Sequence, residues 1–273
     1  MHRIAVGVEY DGRAYAGWQS QASLPSIQAV TEGALSAVAA HAVSLVGAGR
    51  TDAGVHAVGQ VAHFETSAGR SARSWVLGTN THLPRDVSLT WARAVPEHFH
   101  ARYSAEARTY CYLICNRDTR SALAAQRATM IHQRLDDERM IAAAATLLGE
   151  HDFSAFRSSE CQARSPVRRL EELSVERRGE WLVIRVTANA FLHHMVRNLV
   201  GLLLAIGQAK AEPRWARDVL ESRDRTRGAA TAPPDGLYLW SVRYPRAFPV
   251  PSAGPDRAWA MIPGLMGFED VLV

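Results

Sequence analysis

An acidic residue, Asp52, stands in a glycine-rich stretch and is the first candidate for chemistry. Glycines occupy positions 47, 49 and 54 around it, and a cation, Arg50, precedes it by two residues. The apolar run Val43 to Val46 leads into this stretch, and the strand-like run Val58 to Phe64 leaves it. A carboxylate on a tight turn between two strands can point into a cleft and act as a nucleophile or general base. We expect the neighbouring guanidinium to favour the negative charge of Asp52.

Three common motifs do not fit the same stretch. A dinucleotide-binding fingerprint starting at Gly47 would need its third glycine at position 52, where a carboxylate would repel pyrophosphate. A P-loop requires a lysine directly after its last glycine, but Gly54 is followed by valine. An aspartic protease needs two carboxylates that share a proton, and the nearby Arg50 disfavours such a pair. A plain turn role, in which the Asp52 carboxylate caps backbone amides, stays open.

Seven blocks of the sequence resemble one enzyme family. The run Gly49-Arg-Thr-Asp-Ala-Gly-Val-His56 resembles the catalytic signature of the tRNA pseudouridine synthase A (TruA) family, in which the aspartate is the essential catalytic residue. Six further blocks match in family order and spacing, and the resemblance covers residues 2 to 246. They are Tyr10-Asp-Gly-Arg-Ala-Tyr15-Ala-Gly-Trp18-Gln19-Ser-Gln21, Phe99-His-Ala-Arg-Tyr103-Ser, Arg108-Thr-Tyr110-Cys-Tyr112, Phe153-Ser-Ala-Phe156, Asn189-Ala-Phe191-Leu-His-His194-Met-Val-Arg197-Asn198 and Gly236-Leu237-Tyr-Leu239.

The resemblance implies roles for five residues. Asp52 would be the catalytic residue, Arg197 would pair with it, and Arg50 would help to expel the target nucleotide from its helix. Tyr110 would contact the target base, and Leu237 would pack against the other side of its ring. The resemblance also implies a homodimer in which one tRNA contacts both subunits. Its reaction would isomerise uridine to pseudouridine at positions 38, 39 and 40 of the tRNA anticodon stem-loop, without a cofactor or a metal.

From the residues alone, three of these positions have plainer interpretations. Tyr110 and Leu237 lie on predicted strands, where aromatic and aliphatic side chains usually belong to the core. Arg197 lies on a helix predicted from Phe191 to Gln208, close to its apolar stripe. An arginine there either has a fixed anion partner or extends past the core to solvent.

Neither the histidines nor the cysteines form a metal-binding pattern. His193 and His194 would diverge by about 100° on a helix, and no third ligand follows at a useful spacing. Cys111, Cys115 and Cys161 form neither an even disulfide framework nor a metal spacing. We therefore expect buried thiols and no metal.

Composition bounds the class of protein. With 273 residues and 47% hydrophobic content, the chain can form a hydrophobic core in one large domain or two modest ones. The net charge of +4 weakly indicates a polyanionic partner. Of the 31 Lys and Arg residues only Lys210 is lysine, which suits phosphate contacts but is also what a GC-rich genome produces. The arginines of predicted loops and strand entries that could contact phosphates are Arg13, Arg157, Arg164, Arg168 and Arg169.

We expect a cytoplasmic protein with no membrane partner. The longest apolar run, Leu199 to Ile206, is too short to span a bilayer, and the first residues are strand-like without a signal-peptide pattern.

The order of predicted elements indicates an α+β fold. The first half reads as strand, helix, strand, strand, helix, strand, the split β-α-β-β-α-β order of ferredoxin-like units. Its predicted elements are Arg3–Tyr10, Ser26–Ala40, Val43–Val46, Val58–Phe64, Ser74–Asn80 and Val87–Val95. The second half repeats this plan more loosely, with elements predicted at Arg108–Cys115, Asp136–Leu148, Leu170–Glu176, Trp181–Ala188, Phe191–Gln208 and Leu237–Tyr244.

The resemblance implies how these halves are organised. The two ferredoxin-like units would form one continuous mixed/antiparallel sheet with helices packed on it and a catalytic cleft between the halves, the pseudouridine synthase fold. We expect a catalytic-loop subdomain over residues 1–105, a second α/β subdomain over 106–246 and an irregular tail over 247–273.

Two other functions stay open on the residues. A non-catalytic RNA-binding protein of two ferredoxin-like modules usually carries paired aromatics in an RNP1 pattern, which residues 57–64 lack. A hydrolase that uses Asp52 would instead release free uracil or cleave an ester.

Overall fold

Backbone contacts divide the chain into two units in a computed structural model that describes residues 1–251. Residues 1–108 and 238–251 form unit 1, and residues 109–237 form unit 2. The closing strand therefore belongs to unit 1, whereas the sequence-based division counts it with the second subdomain. Of the predicted tail, residues 247–251 form no helix or strand, and the rest lies outside the described residues.

Unit 1 has the predicted split order of strands and helices. Its elements are β1 (His2–Tyr10), α1 (Ile27–Ala39), β2 (Val46–Gly47), β3 (His56–Thr66), α2 (Ala72–His82) and β4 (Val87–Val95). Strand β1 lies antiparallel between β3 and β4, and β2 pairs antiparallel with the far end of β3. The short β2 and the long β3 thus leave residues 48–55 as the loop between two paired strands.

Local sequence explains the helices of unit 1. The Ser26 hydroxyl caps α1 by accepting the Ala29 N–H, and Ser71 caps α2 in the same way. The two helices pack against each other, and α2 also packs on β4. The Trp75 ring of α2 is fully buried and lies edge-on to Phe64 of β3, at 5.1 Å between ring centroids. This aromatic pair fixes α2 over β3, the strand that follows the loop of residues 48–55.

Unit 2 repeats the neighbour relations of unit 1 with more additions. Its elements are β5 (Ala107–Asn116), β6 (Thr129–Ile131), α3 (Asp137–Ala145), β7 (Gly149–Asp152), β8 (Val167–Arg178), β9 (Trp181–Ala188), α4 (Met195–Gly207) and α5 (Trp215–Ser222). Strands run in the order β5-β9-β8-β7, so β5 lies beside β9 and β9 beside β8, as β1, β3 and β2 do in unit 1. The predicted hairpin around Gly179 is confirmed, with that glycine at φ 56°. Strand β10 (Leu237–Arg243) follows and pairs parallel with β3.

The α+β fold class is confirmed, but three short elements were not predicted and the predicted start of one helix is wrong. The sequence analysis missed β6, β7 and α5, which are too short for a clear hydrophobic period. Helix α4 begins at Met195 rather than Phe191, because His194 adopts a left-handed backbone conformation at φ 62° that interrupts a right-handed helix. No helix within residues 1–251 is long and apolar enough to cross a membrane.

Candidate active site

Asp52 lies on a turn that glycine makes possible. The loop of residues 48–55, called the Asp52 loop below, joins β2 to β3. Within it the Val55 N–H donates to the Asp52 carbonyl at 3.2 Å, which closes a β-turn. Gly54 occupies the third position of this turn with φ 80°, the value that a type II turn requires there. The Asp52 side chain is half-buried. The predicted presentation of Asp52 on a tight turn between two strands is confirmed.

A second loop, residues 11–19, packs against the Asp52 loop and is called the supporting loop. The Trp18 N–H donates to the Thr51 carbonyl at 3.0 Å, and the Gly54 N–H donates to the Tyr15 carbonyl at 3.3 Å. Gly17 has φ 97°, and a β-carbon there would lie 2.4 Å from the Thr51 carbonyl oxygen. The backbones of the two loops therefore approach more closely than any side chain at position 17 would allow.

Buried side chains also anchor the Asp52 loop and the strand β2 before it. The Tyr10 hydroxyl and the Thr51 hydroxyl form a buried hydrogen bond of 2.8 Å. Trp18 is buried and covers Gly47, where a β-carbon would lie 2.7 Å from the indole. On the other side, the Gln60 amide donates to the Gly49 carbonyl at 2.8 Å. The Asp52 loop thus has backbone or side-chain anchors at both ends.

The end of the Asp52 loop carries an ionic cluster. A β-carbon at Gly12 would lie 2.0 Å from the Val55 carbonyl oxygen, and the Gly12 N–H donates to His56 Nδ1 at 3.2 Å. Asp11 lies 3.3 Å from the same His56 nitrogen and pairs with Arg13 at 2.6 Å. Burial raises the pKa of Asp11, but hydrogen bonds from Arg13 and the charge of its guanidinium lower it, so that the pKa is lowered overall. Asp11 is therefore a carboxylate that holds the loop end.

Arg50 does not have the contact that the sequence suggested. Its side chain is exposed, and within residues 1–251 it forms no ion pair or side-chain hydrogen bond. A spacing of two residues in the sequence therefore does not place its guanidinium against the Asp52 carboxylate. The expectation that this contact sustains the charge of Asp52 is wrong, while a role of Arg50 toward RNA stays a prediction.

Arg197 is held by a segment that the sequence analysis did not single out. It lies on α4 and is half-buried. Its Nε donates to the Ala232 carbonyl at 2.8 Å, and the Ala232 N–H donates to the Arg197 carbonyl at 3.0 Å. A partner at Nε fixes the plane of the guanidinium and leaves its two Nη groups for other acceptors. The Ala232 backbone thus orients the Arg197 guanidinium, and its role toward Asp52 stays a prediction.

Tyr110 and Leu237 are both buried in unit 2, at 8% and 4% exposed. The Tyr110 ring lies edge-on to Phe191, with centroids 5.1 Å apart. The Leu237 N–H closes a turn by donating to the Pro234 carbonyl at 2.8 Å. Both the base-contact roles and the plain core interpretation are compatible with this burial, so the roles stay predictions.

The expectation that His193 and His194 diverge on a helix is wrong. His193 and His194 precede α4, and their rings lie with centroids 4.0 Å apart rather than diverging on a helix. The absence of a metal stays a prediction. The thiol of Cys111 is fully buried, which raises its pKa to about 12 and makes it unreactive.

Comparison with known proteins places the chain in a family. A family model described as tRNA pseudouridine synthase matches residues 7–104 and 143–245. The tRNA pseudouridine synthase A of Methylococcus capsulatus is 56% identical over 246 residues, which are 90% of this chain and 91% of that protein. The chain belongs to the tRNA pseudouridine synthase family. The tRNA pseudouridine synthase A of Nitrosococcus oceani is 53% identical over 258 residues, 94% of this chain and 100% of its own.

A solved structure also matches. The crystal structure of a Cbf5-Nop10-Gar1 complex aligns with 74% of this chain and 45% of its own at 14% identity, with a TM-score of 0.36. A likeness at that level supports no structural argument.

Family membership settles the class of activity. This member of the tRNA pseudouridine synthase family is an isomerase that acts on tRNA uridine. The predicted resemblance is confirmed, and both the non-catalytic RNA-binding alternative and the hydrolase alternative are set aside.

Four residues without a predicted role shape the surroundings of Asp52 and Arg197. Gly12, Gly17 and Trp18 fit the supporting loop against the Asp52 loop, and Ala232 orients Arg197. The signal for the loop was visible as glycines and aromatics clustered at 10–18. No sequence signal marks Ala232, since it acts through its backbone.

Proposed function

We propose that this enzyme isomerises uridine to pseudouridine at positions 38, 39 and 40 of the tRNA anticodon stem-loop, with Asp52 as its catalytic carboxylate and no cofactor. The observation that supports this most is the way the turn at Asp52 is held. Gly54 allows the turn, Gly17 lets the supporting loop approach, and Thr51 is hydrogen-bonded through both its carbonyl and its hydroxyl. A half-buried aspartate that only capped its own turn would not need a second loop fitted against it.

The reaction balances without an outside reagent. The N1–C1′ glycosidic bond breaks, the uracil turns while held, and C5 forms the new bond to C1′. The C5 hydrogen leaves to solvent as a proton, and N1 gains one. Asp52 can serve as a nucleophile at the ribose or at the base, or as the base that removes a ribose proton. Each of these routes needs one ionised carboxylate.

The other predicted site residues supply binding and orientation. Tyr110 offers a flat ring to the extruded uracil, and base–aromatic stacking of this kind is worth about 1–3 kcal/mol. Leu237 packs on the other side of the base, Arg197 pairs with the catalytic carboxylate, and Arg50 helps to expel the nucleotide. Extruding the base costs a few kcal/mol, which contacts to the tRNA backbone offset.

Two of the candidate phosphate contacts are better placed than the others. Arg13 is engaged with Asp11, Arg169 pairs with Glu171, and Arg168 donates to backbone carbonyls. Arg157 and Arg164 form no ion pair or side-chain hydrogen bond within the described part of the chain. We propose that these two bind tRNA phosphates in the cytoplasm, where the enzyme acts as a homodimer.

The test uses tRNA that carries tritium at uracil C5, because that hydrogen is released only when C5 becomes the glycosidic carbon. Wild-type enzyme should release tritium from tRNA with uridine at position 38, 39 or 40, and Asp52→Asn should release none while its tRNA Kd stays within about tenfold. Asp118→Asn is the matched control, since it removes the charge of an exposed aspartate and should leave release unchanged.

Two outcomes would contradict the proposal. No release by wild-type enzyme from such a tRNA would refute the substrate positions, whereas near-normal turnover by Asp52→Asn would refute the role of Asp52 alone.

A further inference from the structure

Asn198, which follows Arg197 on α4, links three segments of unit 2. It is 3% exposed, and its amide donates to the Phe156 carbonyl at 2.8 Å. Its Oδ1 accepts from the Thr231 hydroxyl at 2.7 Å and from Arg225 Nη2 at 3.0 Å. The same Arg225 nitrogen also donates to the Thr231 hydroxyl oxygen at 3.1 Å. Asn198, Arg225 and Thr231 thus form a closed hydrogen-bonded group, called the Asn198 triad below.

The triad adjoins the two hydrogen bonds between Ala232 and Arg197, called the Ala232 clasp below. Thr231 immediately precedes Ala232, whose carbonyl and N–H both bond to Arg197. One turn along α4, a β-carbon at Gly201 would lie 2.0 Å from the Ala230 carbonyl oxygen. Residues 230–232 therefore lie directly against the helix backbone, with the Thr231 side chain tied to Asn198. Moving Thr231 would move the carbonyl that fixes the guanidinium plane of Arg197.

The buried polar groups of the triad cost free energy unless all of them are hydrogen-bonded, which restricts where each group can lie. A buried amide needs its partners, and a partly satisfied network is worse than an apolar core. Here Asn198 Oδ1 accepts two hydrogen bonds, and the Thr231 hydroxyl donates one and accepts one. The Asn198 amide donates to the Phe156 carbonyl, so these polar groups find their partners within the triad and at Phe156. Such a network has one arrangement, so it defines where residues 230–232 lie.

We propose that Asn198, Thr231 and Arg225 are positioning residues for Arg197. They set the Ala232 clasp, and through it the direction in which the Nη groups of Arg197 point. None of the three is a catalytic residue. The inference rests on the proposed function, in which Arg197 pairs with the catalytic carboxylate. Small displacements of such a group cost much, since a misplacement of about 1 Å can lower a rate about 100-fold.

The first experiment reads the clasp without any activity. In enzyme labelled with ¹⁵N at arginine, the Arg197 Nε–H resonance, assigned by its loss in Arg197→Lys, should be protected from solvent exchange. Thr231→Val removes the hydroxyl and should accelerate that exchange at least tenfold. Thr231→Ser keeps the hydroxyl and should restore protection. Thr226→Val is the matched control, because its hydroxyl bonds to Asp224 and not to the triad. Equal protection in wild type and Thr231→Val would overturn the inference.

The second experiment reads the consequence in single-turnover tritium release. Thr231→Val should slow release about tenfold or more at saturating enzyme, with the tRNA Kd within about twofold and the active fraction unchanged. Thr231→Ser and Thr226→Val should be near wild type. In an Arg197→Lys background, Thr231→Val should slow release less than twofold further, because lysine lacks the Nε donor. A full additional tenfold loss there would show that Thr231 acts independently of Arg197 and would overturn the inference.

The two failures are distinguishable. If wild-type enzyme releases no tritium but the Nε–H protection follows the triad as described, the proposed function fails and the clasp stands. If wild-type enzyme is active but neither readout responds to Thr231→Val, the positioning role fails and the proposed function stands.

Discussion

At the scale of single residues, the proposed catalytic carboxylate is placed by neighbours that perform no chemistry. Thr51 precedes Asp52, and its carbonyl accepts the Trp18 N–H while its hydroxyl bonds to Tyr10. Both contacts are to residues far from Thr51 in the sequence, at positions 10 and 18, so they fix the loop against a separate part of unit 1. The backbone that carries Asp52 is therefore held one residue before it.

We expect Tyr10→Phe to weaken this placement. Losing a buried hydrogen bond should lower the free energy of unfolding by about 1 kcal/mol. Because Thr51 then loses a tether, single-turnover tritium release should also slow about fivefold at unchanged tRNA Kd. Tyr244→Phe is the control: its hydroxyl donates to the Ala101 carbonyl at 2.6 Å, away from the Asp52 loop. Denaturation should show a similar loss of stability for both variants, and equal slowing of release by both would contradict the expectation.

At the scale of elements, the sequence predicts what depends on side-chain pattern and misses what depends on backbone contact. Hydrophobic periodicity predicts the order β1 to β4 and the β8–β9 hairpin, and the glycines around Asp52 predict its turn. The fit of the supporting loop depends on a missing β-carbon at Gly17; the sequence shows the glycine but not the Thr51 carbonyl that it must approach. The start of α4 depends on the left-handed backbone of His194, a residue type that commonly continues a helix.

Site residues divide in the same way. Family blocks in the sequence mark Asp52, Tyr110, Arg197 and Leu237. The structure places Tyr110 on β5, Arg197 on α4, Leu237 at the start of β10 and Asp52 on the loop between β2 and β3. The expected contact of Arg50 with Asp52 was drawn from sequence proximity, and the exposed side chain of Arg50 shows that proximity does not fix direction. The Ala232 clasp could not be predicted, because any residue supplies the same carbonyl.

We expect Gly17→Ala to be far more damaging than its size suggests. Alanine at φ 97° is strained, and its β-carbon would meet the Thr51 carbonyl at 2.4 Å. The combined cost should be about 2 kcal/mol or more in unfolding free energy, with tritium release lowered because the two loops separate. Gly69→Ala is the matched control, since a β-carbon there meets nothing within 4 Å and its φ is not left-handed. Urea denaturation should find Gly69→Ala within about 0.5 kcal/mol of wild type. Equal stability of the two variants would rule out the close approach of the loops.

At the scale of the whole molecule, stability at acid pH depends on histidines that fold without a proton. His63 on β3 is 5% exposed, and its Nδ1 accepts the Ala101 N–H at 3.1 Å. Burial first, and then electrostatic repulsion from His100 and Arg3, lower the pKa of His63 to about 4 against the opposing effects of Glu65 and the Val46 backbone. Burial also lowers the pKa of His100, whose ring lies 4.8 Å from that of His63.

The consequence is a loss of stability on acidification. Because the folded pKa of His63 lies below the unfolded value of about 6.5, the unfolded chain binds the proton first as the pH falls. The contribution of His63 is therefore fully present above about pH 6.5 and is lost between about pH 6.5 and 4. From pH 7 to pH 5 we expect the unfolding free energy to fall by about 1–2 kcal/mol on account of His63. His63→Gln, whose amide oxygen can accept the Ala101 N–H, should remove that part of the loss, whereas His132→Gln, at an exposed histidine, should leave the slope unchanged. Urea denaturation at pH 7, 6 and 5 measures all three proteins, and a wild-type slope retained by His63→Gln would contradict a neutral His63 in the fold.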